Sequence, residues 1–597
     1  MLVQLTLLLT FLASSQQAPT DLAPSTERLE QTANTLCEQP RFAGDPRSQH
    51  ATDYFAGELK KYGWTVERKY YWAYLPRQTF QSLSVYTTTN EWHDLNLTEQ
   101  GFAEDQRTLQ AHIPPMHGLT ASGKAAGSVW YVGYGTHDEF AALQRKFGDE
   151  FKGDIALMRY GANYRGLKIA NAEEFGFSGA LLYTDAEDDG FARGEVLPNG
   201  PFRPSSGIQR GSVFNGHGDA LTPGWAATKN AKRLSSAEAP GLVKIPSLPI
   251  SSGNAHKLIG DHGKVMGNTM TQVKIEVRQD TSLQKICNVI ATINGSSADD
   301  QWIILGAHRD AWGRGATDNG TGSTVLLESA RLIGQAHQQG WNPQRRLMIA
   351  SWDAEEWGLV GSTEWVEENR SDLMEHAVAY VNLDVVATGP NFSASCTPGL
   401  QATLVASTVA NDVNTPAQLG VPGGGSDHVP FIEIAGVESM AFGFHGGSGV
   451  YHSALDTPYL IEKFLDPGYV HHSRATQMAV DIATRLSHSN EVVDGREGWL
   501  KQMSSALENK LADSSLPDEQ AQQLRDCLAE LAAAQSANDN GNAFKFHRGF
   551  LPQHSGRSLL WNSAGYGTVW FPNLTAEGGA EQLIATFKKC ILLASKQ

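Results

Sequence analysis

Arg346-Leu-Met-Ile-Ala-Ser-Trp352 runs directly into Asp353-Ala-Glu-Glu-Trp-Gly358, an apolar run of strand length that ends in a knot of acids. The same design occurs twice more nearby. Trp302-Ile-Ile-Leu-Gly306 leads into Ala307-His308-Arg309-Asp310, and Ala377-Val-Ala-Tyr-Val-Asn-Leu-Asp384 ends in its own carboxylate. An earlier run, Asn288-Val-Ile-Ala-Thr-Ile293, has the same texture, and the stretches 321–339 and 358–370 between the runs carry helical spacing. Strands alternating with helices predict an α/β core whose mixed, largely parallel sheet is covered on both faces. Ligand groups in such sheets gather past the carboxyl ends of strands. His308, Glu355, Glu356 and Asp384 are therefore predicted to converge on one rim.

Two more residues complete a set: Asp318 in Thr317-Asp-Asn-Gly320 and His452 in Tyr451-His-Ser453. Two imidazoles, three carboxylates and one spare carboxylate are what a two-zinc hydrolytic site requires. His308 and Asp384 would hold one ion, Glu356 and His452 the other, and Asp318 would bridge. Asp310 is predicted to reach the outer nitrogen of His308 and fix its tautomer. Glu355 is predicted to be the general base. A lone His-x-Asp or Glu-Glu is usually a surface feature; it is their conjunction at strand ends that carries the reading. Asp318-Asn319-Gly320 reads either as a plain turn or as a cis peptide after the ligand.

A chain of 597 residues exceeds one core, so two to four domains are expected. The net charge of −17 argues against nucleic acid or an anionic membrane surface as partner. Residues 1–15 are a short apolar run ending in small residues, read as a signal peptide cleaved near Ser15; this predicts a secreted, periplasmic or extracellular protein. Membrane attachment would follow only if that segment stayed uncleaved. Five scattered cysteines exclude a disulfide scaffold, although Cys527 and Cys590 could pair. From 79 to 285 the texture is short strands rich in Gly and Pro, with a helix expected over Lys168–Phe177. Residues 490–597 show helical period and predict a helical C-terminal unit.

The motifs Gly306-Ala-His-Arg-Asp310, Ser351 to Trp365, Asn382-Leu-Asp384, Gly424-Gly-Ser-Asp427 and Tyr451-His-Ser453 resemble the glutamate carboxypeptidase II/transferrin receptor branch of the co-catalytic zinc aminopeptidase superfamily. Tyr164-Arg-Gly, Gln209-Arg-Gly and Leu221-Thr-Pro-Gly224 extend the resemblance into the insert. It implies a protease domain split over 20–78 and 286–489, an apical protease-associated domain at 79–285 and a helical dimerisation domain at 490–597. It also implies a homodimer acting on peptides with two zinc ions. By the same resemblance Tyr451 would hydrogen-bond the tetrahedral intermediate, and Gly425 and Ser426 would line the substrate channel. Glu364 and Glu367, with the carbonyls of Thr222 and Trp225, would bind a structural calcium.

Three departures bear on the substrate. Arg165 matches the family arginine that grips a C-terminal carboxylate, yet Ser212 replaces its asparagine companion. The Lys-Tyr pair near the C-terminus has no evident counterpart in Trp561-Asn-Ser-Ala-Gly-Tyr566. Ala441 and Gly443 stand where the family has an arginine patch for acidic peptides. A carboxypeptidase removing single residues, neutral or apolar before the cut, is therefore favoured. An aminopeptidase, or a non-catalytic transferrin-receptor-like binding protein, is the alternative.

Overall fold

The computed structural model describes residues 23–87, 89–110, 113–488, 493–512, 516–536, 543–552 and 557–594. The expected signal peptide lies outside the described residues. A seven-stranded sheet forms the core, in the order Thr65–Tyr74, Leu283–Ile293, Arg346–Trp352, Trp302–His308, Ala377–Asn382, Glu438–His445 and Asn391–Cys396. The four strands from Arg346–Trp352 to Glu438–His445 pair in parallel, and antiparallel strands flank them. The parallel strands Trp302–His308, Arg346–Trp352 and Ala377–Asn382 are mainly apolar and almost wholly buried because both faces are covered. Helices Thr26–Leu36, Gln49–Lys61, Thr321–Gln338 and Val470–Leu486 supply Leu59, Val325, Ile333 and Ile482 to one face. On the other face, helices Val360–Glu368 and His428–Ala435 bring Trp365 and Phe431 against Trp352 and Tyr380. Phe431 stacks on Tyr380 at 3.9 Å between ring centroids. Truncating a fully buried phenylalanine of this kind costs about 3–5 kcal/mol.

The insert builds a second seven-stranded sheet, ordered Trp92–Asp94, Arg77–Tyr86, Gly267–Asp280, Gly123–Tyr131, Ile155–Arg159, Gly179–Tyr183 and Ser247–Ile250. The helix expected over Lys168–Phe177 spans Arg165–Glu174, three residues earlier than the apolar spacing predicted, with Arg165 and Gly166 buried in its first turn. The C-terminal unit has helices Arg496–Ala512, Asp518–Ser536 and Gly579–Ala594 as expected. It also has an unforeseen hairpin, Trp561–Ala564 paired with Gly567–Trp570. Cys527 and Cys590 are both buried free thiols, which corrects the suggested pairing.

Candidate active site

His308 ends its strand, and Asp384 follows Asn382 by two residues. Ala354, in the left-handed region at φ 61°, turns the chain after Trp352 so that Glu355 and Glu356 follow at once. Asp318 comes from the loop before helix Thr321–Gln338; the Asp318–Asn319 peptide is cis, the second of the two readings for this turn. His452 comes from a loop beyond Glu438–His445 and is itself left-handed at φ 59°.

The side chains form two triads that share one member: His308, Asp318 and Asp384, and Asp318, Glu356 and His452, the potential ligand atoms of each lying within 4.8 Å of one another. His308 Nε2 is 3.2 Å from Asp318 Oδ1 and 3.3 Å from Asp384 Oδ1. His452 Nε2 is 3.1 Å from Asp318 Oδ2 and 3.0 Å from Glu356 Oε2. The two Asp318 oxygens thus face different imidazoles, the arrangement a bridging carboxylate needs. Glu355 Oε2 lies 3.8 Å from His308 Nε2.

The partners behind the triads differ from expectation in two places. His308 Nδ1 bonds the backbone oxygen of Asp310 at 3.1 Å, while the Asp310 carboxylate is 3.6 Å away. That carboxylate instead accepts the backbone N–H of Glu355 at 3.0 Å and of Glu356 at 3.3 Å, so Asp310 holds the acid pair as well as the imidazole. Ser426, expected on the channel, is buried behind it; its hydroxyl donates to Asp384 Oδ2 at 2.7 Å and accepts from Asn382 at 2.8 Å. Asp456, which the sequence reading missed, accepts from Thr317 N, Thr317 Oγ1 and Asp318 N at 2.9, 2.7 and 3.2 Å.

Electrostatics show a site short of positive charge. Burial raises Glu355 well above the usual carboxylate range, with Asp384, Asp427 and Glu356 adding like-charge repulsion against the relief from His308. Burial likewise pushes Glu356 up to about 7, and its Oε1 has no hydrogen-bond partner among the described residues. Asp427 is buried and is pushed up to about 7, chiefly by burial, with Asp384 and Asp310 adding like-charge repulsion. Burial opposes charge on His308, yet the surrounding carboxylates raise it. Buried carboxylates in this number are stable as anions only when paired or bound to metal. Hard oxygens with two imidazole nitrogens, each turned by a backbone carbonyl so that Nε2 faces the acids, form a donor set that zinc accepts.

The acids open on a cavity of about 420 Å³ whose wall includes Arg165, Tyr451 and Gly425. Arg165 is 5 % exposed, and its Nη2 donates to Tyr566 Oη at 2.7 Å and to Tyr451 Oη at 3.3 Å. Its Nε has no partner, and no carboxylate among the described residues lies within ion-pair distance of it. The contact corrects the reading of Trp561–Tyr566 as empty of a companion: Tyr566 reaches Arg165 from the C-terminal unit. Gly425, at φ 93°, permits this, because a Cβ there would lie 2.8 Å from the Tyr566 ring. Tyr451 stacks on His452 with 3.6 Å between centroids. Ser212 lies on the wall, its hydroxyl donating to Trp357 O at 3.3 Å. His217 and Arg557, both unforeseen, also line the cavity; His217 contacts Ser563 at 2.5 Å and Arg557 lies 3.4 Å from Glu433.

Away from the cavity, Glu364 is fully buried and accepts the backbone N–H groups of Asp219 at 2.6 Å and Ala227 at 2.5 Å. Glu367 Oε2 is buried without a partner, and burial pushes its carboxyl up to about 8. Asp219, a third buried acid that the sequence reading missed, accepts from the hydroxyl of Thr222 at 3.1 Å. Trp225 N–H donates to Thr222 O at 3.2 Å, and the Trp225 ring is partly exposed.

The sequence profile of peptidase family M28 matches residues 288–476, and that of the PA domain matches residues 117–216. Probable glutamate carboxypeptidase LAMP1 of Arabidopsis thaliana is 35 % identical over 507 residues, covering 80 % of this chain and 74 % of that protein. Aminopeptidase NAALADL1 of Mus musculus is 29 % identical over 530 residues, covering 77 % of this chain and 71 % of its own. Among solved structures, a zinc aminopeptidase from Bacillus subtilis superposes with a TM-score of 0.53 at 18 % identity, covering 79 % of this chain and 97 % of the other. At that identity the likeness speaks for the fold.

Proposed function

The chain belongs to peptidase family M28 and is a zinc exopeptidase, and we propose that it holds two zinc ions and acts as a carboxypeptidase on peptides with a free C-terminal carboxylate. His308 and Asp384 would hold one ion, Glu356 and His452 the other, with Asp318 between them. When bound, zinc polarises the scissile carbonyl and makes water a competent nucleophile at neutral pH.

The chain's own groups supply the rest. Glu355, on the cavity wall beside His308, takes a proton from the attacking water as its oxygen bonds to the carbonyl carbon. The C–N bond then breaks, and Glu355 returns the proton to the leaving amine. Tyr451 Oη, on the same wall, hydrogen-bonds the oxygen that gains charge in the transition state. Asp310 fixes Glu355 and Glu356 through their N–H groups.

The observation that carries the carboxypeptidase reading is Arg165. It is a buried cation without an acidic partner among the described residues, on the wall of the cavity that holds the metal acids. Of the four acids on that wall, Asp318, Glu356 and Asp384 are the proposed metal ligands and Glu355 the proposed base, which leaves no further carboxylate there for a terminal ammonium. Ala441 and Gly443 stand where the resembling family carries cations, and we read their lack of charge as favouring a neutral or apolar residue before the cut. Turnover of a peptide should be lost when its C-terminus is amidated and kept when its N-terminus is acetylated. The reverse pattern would make the enzyme an aminopeptidase, the activity for which its mouse relative is named.

We also read the pair Glu364 and Glu367, with Asp219 and the carbonyls of Thr222 and Trp225, as a calcium site supported by three crowded buried carboxylates. The homodimer through residues 490–597, the domain boundaries at 78/79, 285/286 and 489/490, and secretion after cleavage near Ser15 belong to the same proposal. Among the described residues no helix is long and apolar enough to cross a membrane. Light scattering of the purified chain tests the dimer, and N-terminal sequencing of the exported protein tests the cleavage.

A further inference from the structure

The two half-sites are built differently. In the first, the direct supporting contacts among the described residues come from the core: Asp310 O bonds His308 Nδ1, Ser426 bonds Asp384, and Asp456 holds the backbone at Asp318. In the second, Glu356 comes from the core, but the loop carrying His452 is gripped by the insert. His452 Nδ1 bonds Arg210 O at 3.1 Å, and Arg210 N–H donates back to His452 O at 3.1 Å. The Arg210 guanidinium also reaches His452 O at 3.4 Å and pairs with Glu99 at 2.7 Å; both side chains of that pair are almost fully buried. Glu99 in turn accepts the N–H of Ala454 at 2.9 Å and of Ile208 at 2.8 Å, tying the two sides together. One residue earlier, Arg203 donates to Tyr451 O at 2.8 Å while pairing with Asp189 at 2.8 Å. His452 needs such a grip because it sits at φ 59°, a region that is unfavourable for a residue with a side chain.

Resting on the two-zinc reading, we propose that the insert is a structural part of the metal centre. Through Glu99, Arg210 and Arg203 it positions His452, so that one zinc depends on the insert and the other does not. Glu99, Arg210 and Arg203 are positioning residues: none reaches a metal donor atom except through the loop 451–454. Outer contacts of a metal-bound imidazole are worth about 10–100-fold in metal affinity.

The test measures zinc per chain and affinity in buffers of graded free zinc, with melting temperature alongside. Wild type should hold two ions. Glu99→Gln keeps the shape but removes the charge that fixes Arg210, and should weaken one ion by about 10–100-fold while the other binds as before. Lys264→Met, which breaks a pair within the insert (Lys264–Asp185, 2.8 Å) away from this loop, should leave both ions unchanged. If Glu99→Gln does not melt cooperatively, Arg203→Gln is read in its place, with the same selective loss expected. Equal weakening of both ions, or none, overturns the proposal. A wild-type chain that binds fewer than two ions overturns the two-zinc reading itself, and this inference with it.

Discussion

Replacing Arg165 with methionine keeps the apolar stem and removes the guanidinium. Arg165 is 5 % exposed, its only described polar partners are the neutral hydroxyls of Tyr566 and Tyr451, and its Nε is unpartnered. A substrate carboxylate would therefore complete a desolvated ion pair that the free enzyme leaves half made. Removing one partner of a buried, hydrogen-bonded charge pair costs about 2–5 kcal/mol. At about 1.4 kcal/mol per decade, kcat/KM should fall about 30- to 4000-fold for a peptide with a free C-terminus. Arg557 cannot take over, because it is already 3.4 Å from Glu433. The same peptide as its C-terminal amide lacks the charge and should be turned over equally poorly by both forms. The assay compares kcat/KM for acid and amide on wild type and Arg165→Met, with zinc content measured on each. Equal losses on both peptides at unchanged zinc content would refute the reasoning, as would full activity on the acid.

Glu355→Gln should lower kcat by about 10²–10⁴-fold with zinc content retained, since Glu355 is placed as base and not ligand; elemental analysis beside steady-state kinetics decides it. Calcium should raise the melting temperature of wild type, and Glu367→Gln should abolish that rise; a scan with and without chelator that shows no difference removes the calcium reading. Burial, with help from the Arg165 charge, depresses His117 to about 3 from the ordinary 6.5. Below pH 6.5 the unfolded chain then binds a proton that the folded chain refuses, so stability falls as pH falls. Between pH 6.5 and 5 that loss is roughly 2 kcal/mol. His117→Asn should accordingly lose less stability than wild type over that interval, as read by denaturant unfolding at the two pH values.

Much of the core sheet was legible because Trp302–His308, Arg346–Trp352 and Ala377–Asn382 are mainly apolar runs separated by helical spacing, a local pattern enforced by burial on both faces; Glu438–His445, which opens on Glu438 and Ser439, was not expected as a strand. The rim was legible for the same reason: His308, Glu355, Glu356 and Asp384 follow their strands at once, so finding the strand ends found the residues. The hairpin Trp561–Trp570 was hidden between helices, its strands being only four residues each, too short for alternation to show. The insert helix was misplaced by three residues because its first turn is polar in sequence yet buried in the fold. Arg165 and Gly166 face Tyr451, Tyr566 and Asn215, residues far away in the chain.

The substrate wall resisted reading on physical grounds. It is made where three segments distant in sequence meet: the helix start at Tyr164–Arg165, the stretch 212–217, and the C-terminal residues 557–566. No local period marks such a wall, and each residue's part depends on what it meets. Tyr566 illustrates this. Sequence reasoning looked for a Lys-Tyr pair and found glycine before the tyrosine. In the fold that glycine is what brings the tyrosine in. Gly565 turns the hairpin at φ 59°, and a Cβ on it would lie 2.7 Å from Tyr164 Cβ. A lysine at 565 would carry both the left-handed backbone and that collision, and would push the hairpin away from Arg165. The missing cation and the Tyr566–Arg165 bond are thus two sides of one backbone choice, and the proposed recognition of a terminal carboxylate rests on Arg165.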